Sequence, residues 1–292
     1  MSAQPPMTPQ VNGNVAFDFV QALASELSGG KVELPGFPRI VMRVQRVLSD
    51  ESADASRVVR VIGSEPMLAT QLIRIANSAA LNPSGAPVTD LRAAVARVGL
   101  DMVRTATIAF AMRQLRHAPA LSGLERELSV LWQSSVQLAS ICRAVARKLT
   151  TVNADTALLA GLLQGIGRLY ILTRAGRHRE LFSDVAAYQA IECDWHLSIA
   201  AALLENWDIG DEIVQAVHES ENLDRESRGA PSLADVLVVA TVLAEVHCEP
   251  QALRAQVNCA KPLQRMKLEY EACKAFLAES ELELNALREA LN

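Results

Sequence analysis

The chain carries five histidines, His117, His178, His196, His218 and His247, and none falls in an H-x-x-x-H or H-E-x-x-H pattern that would put two ligands on one helix face. Asp194 with His196, and His218 with Glu219, are the close acid–imidazole pairs. A metal that activates water needs several converging protein ligands, and the set the chain could offer is His196, His218 and Asp155. Asp194 also suits the cap of a helix whose first turn contains His196, which makes His196 a buried packing or hydrogen-bonding residue. Cys142 has no partner histidine within sequence reach and no G-x-S-x-G is present, so covalent catalysis has no support. Gly161, Gly165 and Gly167 lie on a helix and its end rather than after a strand, which excludes a phosphate cradle; Gly165 reads as a point of close helix approach. In the N-terminal half, Asn77-Ser78 is the most recognisable polar pair. Asn77 reads as a helix-end cap fixing the turn before Pro83, and, grouped with Arg74, Ser78 and His196, as part of a surface for a partner or ligand.

The elements that must position these residues are helical. Apolar residues make up 50% of the 292-residue chain and recur at three- and four-residue spacing almost throughout, with no convincing strand and no fixed repeat. Residues 1–14, rich in proline, read as a disordered tail; a helix over 15–27 capped by Asn14 follows, stopped by Gly29-Gly30. The punctuation then predicts helices at 38–48, 55–63, 66–78, 89–98 and 101–116, with Asp54 and Thr89 as caps and Pro66 in a first turn. Further helices are expected at 123–149, 154–173, 179–190, 195–206, 210–219, 232–247 and 250–258. After Pro262, the positions 263, 266, 270, 273, 277, 280, 284, 287 and 291 form a four-heptad seam, apolar except at Ser280. Self-association through 263–291 and an amphipathic helix folded onto its own domain both satisfy that spacing.

Composition narrows the function classes. The five cysteines are widely spaced without a C-x-x-C, as expected of free thiols in a reducing cytoplasm. The N-terminus lacks a secretory signal, and Arg or Glu interrupts every apolar run short of a membrane span. Charge is divided along the chain: residues 39–116 hold 11 Arg and 6 acids, whereas 180–249 hold 15 acids and only Arg225 and Arg228. Either each set is a solvated face, or the halves meet an oppositely charged partner or one another. A pI of about 5.6, with no zinc spacing or recognition helix, argues against a nucleic-acid surface.

Several co-linear motifs resemble the HDOD domain, an output domain related to the HD metal-dependent phosphohydrolases. ELPGFPRIVMRVQRVLSD resembles its LPxLP opening; the segments Ile62–Leu81, Pro87–Ile108, Leu131–Ser135 and His196–Val217 resemble its later motifs, over about 34–246 in all. The central LLAGLLQGIGRL is similar to GLLHDIGKL, in which the His and Asp hold the metal. Here those positions are Gln164 and Gly165; the histidine of the LWxHS motif falls on Ser134, a later His-His pair on Ser220 and Glu221, and the aspartate of a later helix on Thr241. An amide and a glycine are no ligands for a transition metal. The resemblance implies an all-α, HD-like bundle at 34–250, with an N-terminal helical layer at 34–118 and the HD-like part at 119–250, preceded by a helix within 15–33 and followed by a C-terminal helical extension at 251–292. It implies a cytoplasmic, non-enzymatic bacterial signalling module that binds other signalling proteins, with neither metal nor cofactor. A residual nucleotide phosphohydrolase, and a nucleotide sensor without turnover, are the alternatives.

Overall fold

The computed structural model describes residues 13–30, 32, 34, 38–50, 54–79, 81–82, 85–115, 118–245 and 250–291, and among these helix is the only regular secondary structure. The expected tail lies outside the described residues except for Gly13 and Asn14, which already belong to α1 (Gly13–Ser28), so Asn14 is inside the helix rather than its cap. Four helices form an N-terminal layer: α2 (Arg39–Leu48), α3 (Ala55–Gly63), α4 (Pro66–Ala76) and α5 (Leu91–Leu115). α2 and α3 pack on each other and on α5, and α4 packs on both α3 and α5. The Asp54 carboxylate accepts the Arg57 N–H at 2.8 Å and starts α3. α5 is capped by Asp90, which accepts from the Ala93 N–H at 2.9 Å, and not by Thr89. The expected 89–98 and 101–116 helices are two arms of α5 joined at Gly99, whose φ of 79° only glycine adopts freely.

The second layer holds α6 (Glu125–Leu149), α7 (Ala154–Gln164), α8 (Ile166–Ala175), α9 (Val185–Asn206), α10 (Asp211–His218) and α11 (Leu233–Glu245). The central helix is not continuous: it breaks at Gly165 into α7 and α8. By length and mean hydropathy residues 154–175 could cross a membrane, but most of that stretch is buried inside the bundle. α9 is one helix, capped by Asp184 on the Ala187 N–H at 3.0 Å, so Asp194 lies in its middle and caps nothing. The apolar spacing of Ile191, Trp195 and Ile199 carries the helix straight through the presumed boundary.

Two glycines set how closely these helices approach. A Cβ on Gly161 would lie 2.7 Å from Ala139 Cα, and one on Gly167 would lie 1.8 Å from the His196 carbonyl oxygen. Backbone therefore touches backbone between α7 and α6, and between α8 and α9. At Gly165 the nearest atom is only the Ser135 hydroxyl, so the close approaches fall on its neighbours instead.

The C-terminal part is α12 (Pro250–Cys259), α13 (Lys261–Arg265) and α14 (Tyr270–Leu291). The heptad pattern is interrupted where Lys267 takes a φ of 56°. Its seam residues Cys273, Ser280, Leu284, Leu287 and Leu291 are buried, and α14 packs on α6. Arg143 and Arg147 reach Glu283 at 3.1 and 2.9 Å, and Lys148 donates to Ser280 Oγ at 2.7 Å. The seam is thus filled from within the chain. Among the described residues no ion pair joins 39–116 to 180–249.

Candidate functional site

α7 ends at Gln164 because Gly165 cannot hold the helix line, and that end points into a cleft of about 370 Å³. α6 contributes Ser134 and Ser135, α11 contributes Thr241, and the turn after α10 brings Glu221. Ser134, Gln164, Gly165 and Thr241, scattered over 108 positions of sequence, therefore line one space.

Arg168 extends into the same cleft from the first turn of α8 and donates to Glu221 Oε1 at 2.8 Å. Because the helix breaks at Gly165, Arg168 sits near a helix N-terminus, where a cation is unfavourable. Glu221 supplies the compensating charge. Glu221 Oε2 is 3.4 Å from His196 Nε2, and Gln164 Nε2 is 3.4 Å from Glu221 Oε1. The imidazole of His196 beside Glu221 holds that carboxyl below the usual carboxylate range; burial opposes the shift and Arg168 adds to it. Thr241 Oγ1, Ser220 Oγ and His196 Nδ1 are buried without a hydrogen-bond partner.

Among the described residues the cleft's donor set is one carboxylate, already shared between a guanidinium and an imidazole, plus hydroxyls and the amides of Gln137 and Gln164. Among the described residues no three His, Cys, Asp or Glu side chains group to hold a metal ion. Asp155 instead bonds Arg143 at 3.1 Å, His218 is exposed at the end of α10, and His196 is wholly buried, so the structure does not bring that trio together.

The second predicted group separates. Asn77 closes a two-way bond with Val88, donating to its carbonyl at 2.7 Å and accepting its N–H at 2.8 Å, and so pins the α4–α5 connection. Ser78 donates to the Ile75 carbonyl at 2.7 Å, while Arg74 is exposed. His196, with no exposed surface, cannot share a partner surface with them. Ser135 was not visible as a site residue. Nor was the Arg168–Glu221 pair, whose members lie 53 positions apart.

No curated protein sequence matches this chain. Several solved structures share its fold. One is a Shewanella amazonensis SB2B protein provisionally named a metal-dependent phosphohydrolase (TM-score 0.75, 22% identity, covering 96% of this chain and 100% of that one). Another is an HDOD domain protein of unknown function from Geobacter sulfurreducens (0.64, 22%, 96% and 97%). A third is a Marinobacter aquaeolei VT8 protein provisionally named for signal transduction (0.59, 19%, 97% and 67%). At these identities the likeness establishes the fold. The HDOD domain profile matches residues 34–223, starting where the LPGFP opening does and stopping before α11 and its Thr241, and on that match the chain belongs to the HDOD domain family.

Proposed function

We propose that this chain is a non-enzymatic regulatory module of a bacterial signalling pathway, acting in the cytoplasm through contacts with other proteins on a scaffold whose hydrolytic metal site has been lost. The observation that carries this reading is the Arg168–Glu221 ion pair at 2.8 Å inside the cleft. A guanidinium occupies the electrostatic place that a metal would need, and the one carboxylate there is bonded to it. Gln164, Gly165, Ser134 and Thr241 add no anionic donor. Fold alone carries no activity, so the provisional names of the structural neighbours bear on this chain only as a hypothesis to exclude.

Elemental analysis of chelator-free protein, together with hydrolysis of bis(p-nitrophenyl) phosphate in the presence of Mn²⁺ or Fe²⁺, tests the reading. Less than stoichiometric metal and no turnover above the buffer blank are expected. Turnover that disappears in Glu221→Gln would overturn it in favour of a residual phosphohydrolase. A second reading, a small polar ligand bound without turnover, draws on the unpartnered Thr241 Oγ1 at the cleft wall. Saturable binding of a nucleotide weakened by Gln164→Leu would favour it.

A further inference from the structure

Outside the cleft, two patches of opposite charge lie side by side. On α2, Arg39, Arg43 and Arg46 recur at i, i+4 and i+7, which places them on one face; all three are exposed, and none makes a hydrogen bond or ion pair among the described residues. Like charges at that spacing destabilise a helix, and Arg39, at its first position, also opposes the helix dipole. At the corner between α9 and α10, Glu205, Asp208, Asp211 and Glu212 are exposed, and none of their side chains is paired among the described residues. Asp211 and Glu212 suit the first turn of α10, but Glu205 and Asp208 crowd the negative end of α9.

Arg46 of the first patch and Asp208 of the second line one hollow of about 280 Å³ without pairing with each other; Asp50, which pairs with Arg57, and the exposed apolar Met42 line it too. The backbone at Asp208 adds an independent sign. It terminates α9 in a Schellman turn, with the Ile209 N–H on the Leu204 carbonyl at 3.0 Å and the Asp208 N–H on the Glu205 carbonyl at 3.0 Å. This is the position that favours glycine, yet the chain keeps an aspartate there at a φ of 56°. Charges that oppose their own helices, in a conformation that disfavours the residue carrying one of them, are not there for the stability of the monomer.

We propose that α2 and the α9–α10 corner form a self-complementary docking face for a second copy of this chain. A positive and a negative patch side by side match their own image after a half-turn: α2 of each copy meets the corner of the other, and the apolar Met42 lies between the two contacts. This face is distinct from the buried α14 seam and independent of the cleft reading.

Sedimentation velocity of the full chain tests it, at about 20 mM and about 500 mM salt, where screening lengths differ several-fold. A dimer at low salt that dissociates at high salt is expected. Arg39→Glu/Arg43→Glu/Arg46→Glu and Glu205→Lys/Asp211→Lys/Glu212→Lys should each be folded by circular dichroism and weaken the dimer at least about tenfold. Mixed together they should form a heterodimer, since both contacts are attractive again. Asp208→Gly, which eases the backbone, gives a further readout that misfolding cannot imitate: a weaker dimer with a higher melting midpoint. A chain that stays monomeric at low salt overturns the proposal, as does association indifferent to salt and to these variants, or failure of the mixture to pair. Growth beyond a dimer overturns the two-fold arrangement.

Discussion

The cleft around Gln164 and the corner at Asp208 treat charge in opposite ways. In the cleft, Arg168 sits against the dipole of α8 but is matched by Glu221 at 2.8 Å, and Glu221 is matched again by His196. At the corner, Glu205 and Asp208 sit against the dipole of α9, and at the start of α2 Arg39 sits against that of its own helix; none of the three has a partner among the described residues. A locally unfavourable charge that finds its partner across the fold belongs to the scaffold. One that finds none is available to something else. Glycine usage divides the same way: the cleft's neighbourhood is glycine where no Cβ fits, and the corner is aspartate where glycine would be easier.

The hardest way to break the comparison is to remove the backbone contact that carries the cleft. In Gly167→Ala the new Cβ would fall 1.8 Å from the His196 carbonyl oxygen and 3.0 Å from the Ala200 nitrogen, both main-chain atoms that cannot rotate away. α8 and α9 must separate, and His196 moves away from Glu221. A loss of about 3–5 kcal/mol in urea unfolding is expected, among the largest a single methyl produces. A stable Gly167→Ala variant would mean that the two helices slide freely, and the cleft would not be the rigid, charge-matched element described above.

A smaller perturbation reads the charge match itself. Glu221→Gln should cost about 1–2 kcal/mol at neutral pH, because Arg168 is left near a helix N-terminus with only a neutral amide; its partial exposure keeps the figure low. The Glu221 carboxyl is held below the ordinary glutamate value, so its contribution is fully present above the unfolded pKa of about 4.3. That contribution is lost as pH falls through the lower folded value. Wild type and Glu221→Gln should therefore differ most above about pH 5 and converge toward pH 3 in thermal melts. A gap that persists at low pH would assign the effect to packing rather than to the charge.

Local signals made much of this legible. Asp54 before 55–63 and Pro66 at a first turn fixed two helices to the residue at one end, because a cap is a short-range bond between neighbours. That Ser134, Gln164, Gly165 and Thr241 line one cleft was foreshadowed by the co-linear motifs that singled them out. The same local logic failed at Asp194, where a good cap residue sits in an unbroken apolar repeat and packing outweighs propensity. At 263–291 the spacing left self-association and folding onto the chain both open; α14 packs on α6, more than a hundred residues earlier, a partner that short-range spacing cannot name. The Arg168–Glu221 pair spans 53 positions with no periodicity linking its members, so only the fold reveals it.

The smallest expected effect has the opposite sign from the others and separates the two regions most cleanly. Asp208→Gly removes a Cβ held at a φ of 56° and a negative charge from the C-terminal end of α9, leaving both Schellman hydrogen bonds in place. Relief of the left-handed strain and of the dipole conflict should raise monomer stability by about 0.5–1 kcal/mol. That sum is small because aspartate tolerates this conformation better than most residues and glycine adds freedom to the unfolded chain. Measured in urea at high salt, where the dimer is dissociated, the gain reports the corner alone. A loss there would show that the Asp208 carboxylate holds the turn together, making it as structural as Glu221 and erasing the contrast between corner and cleft.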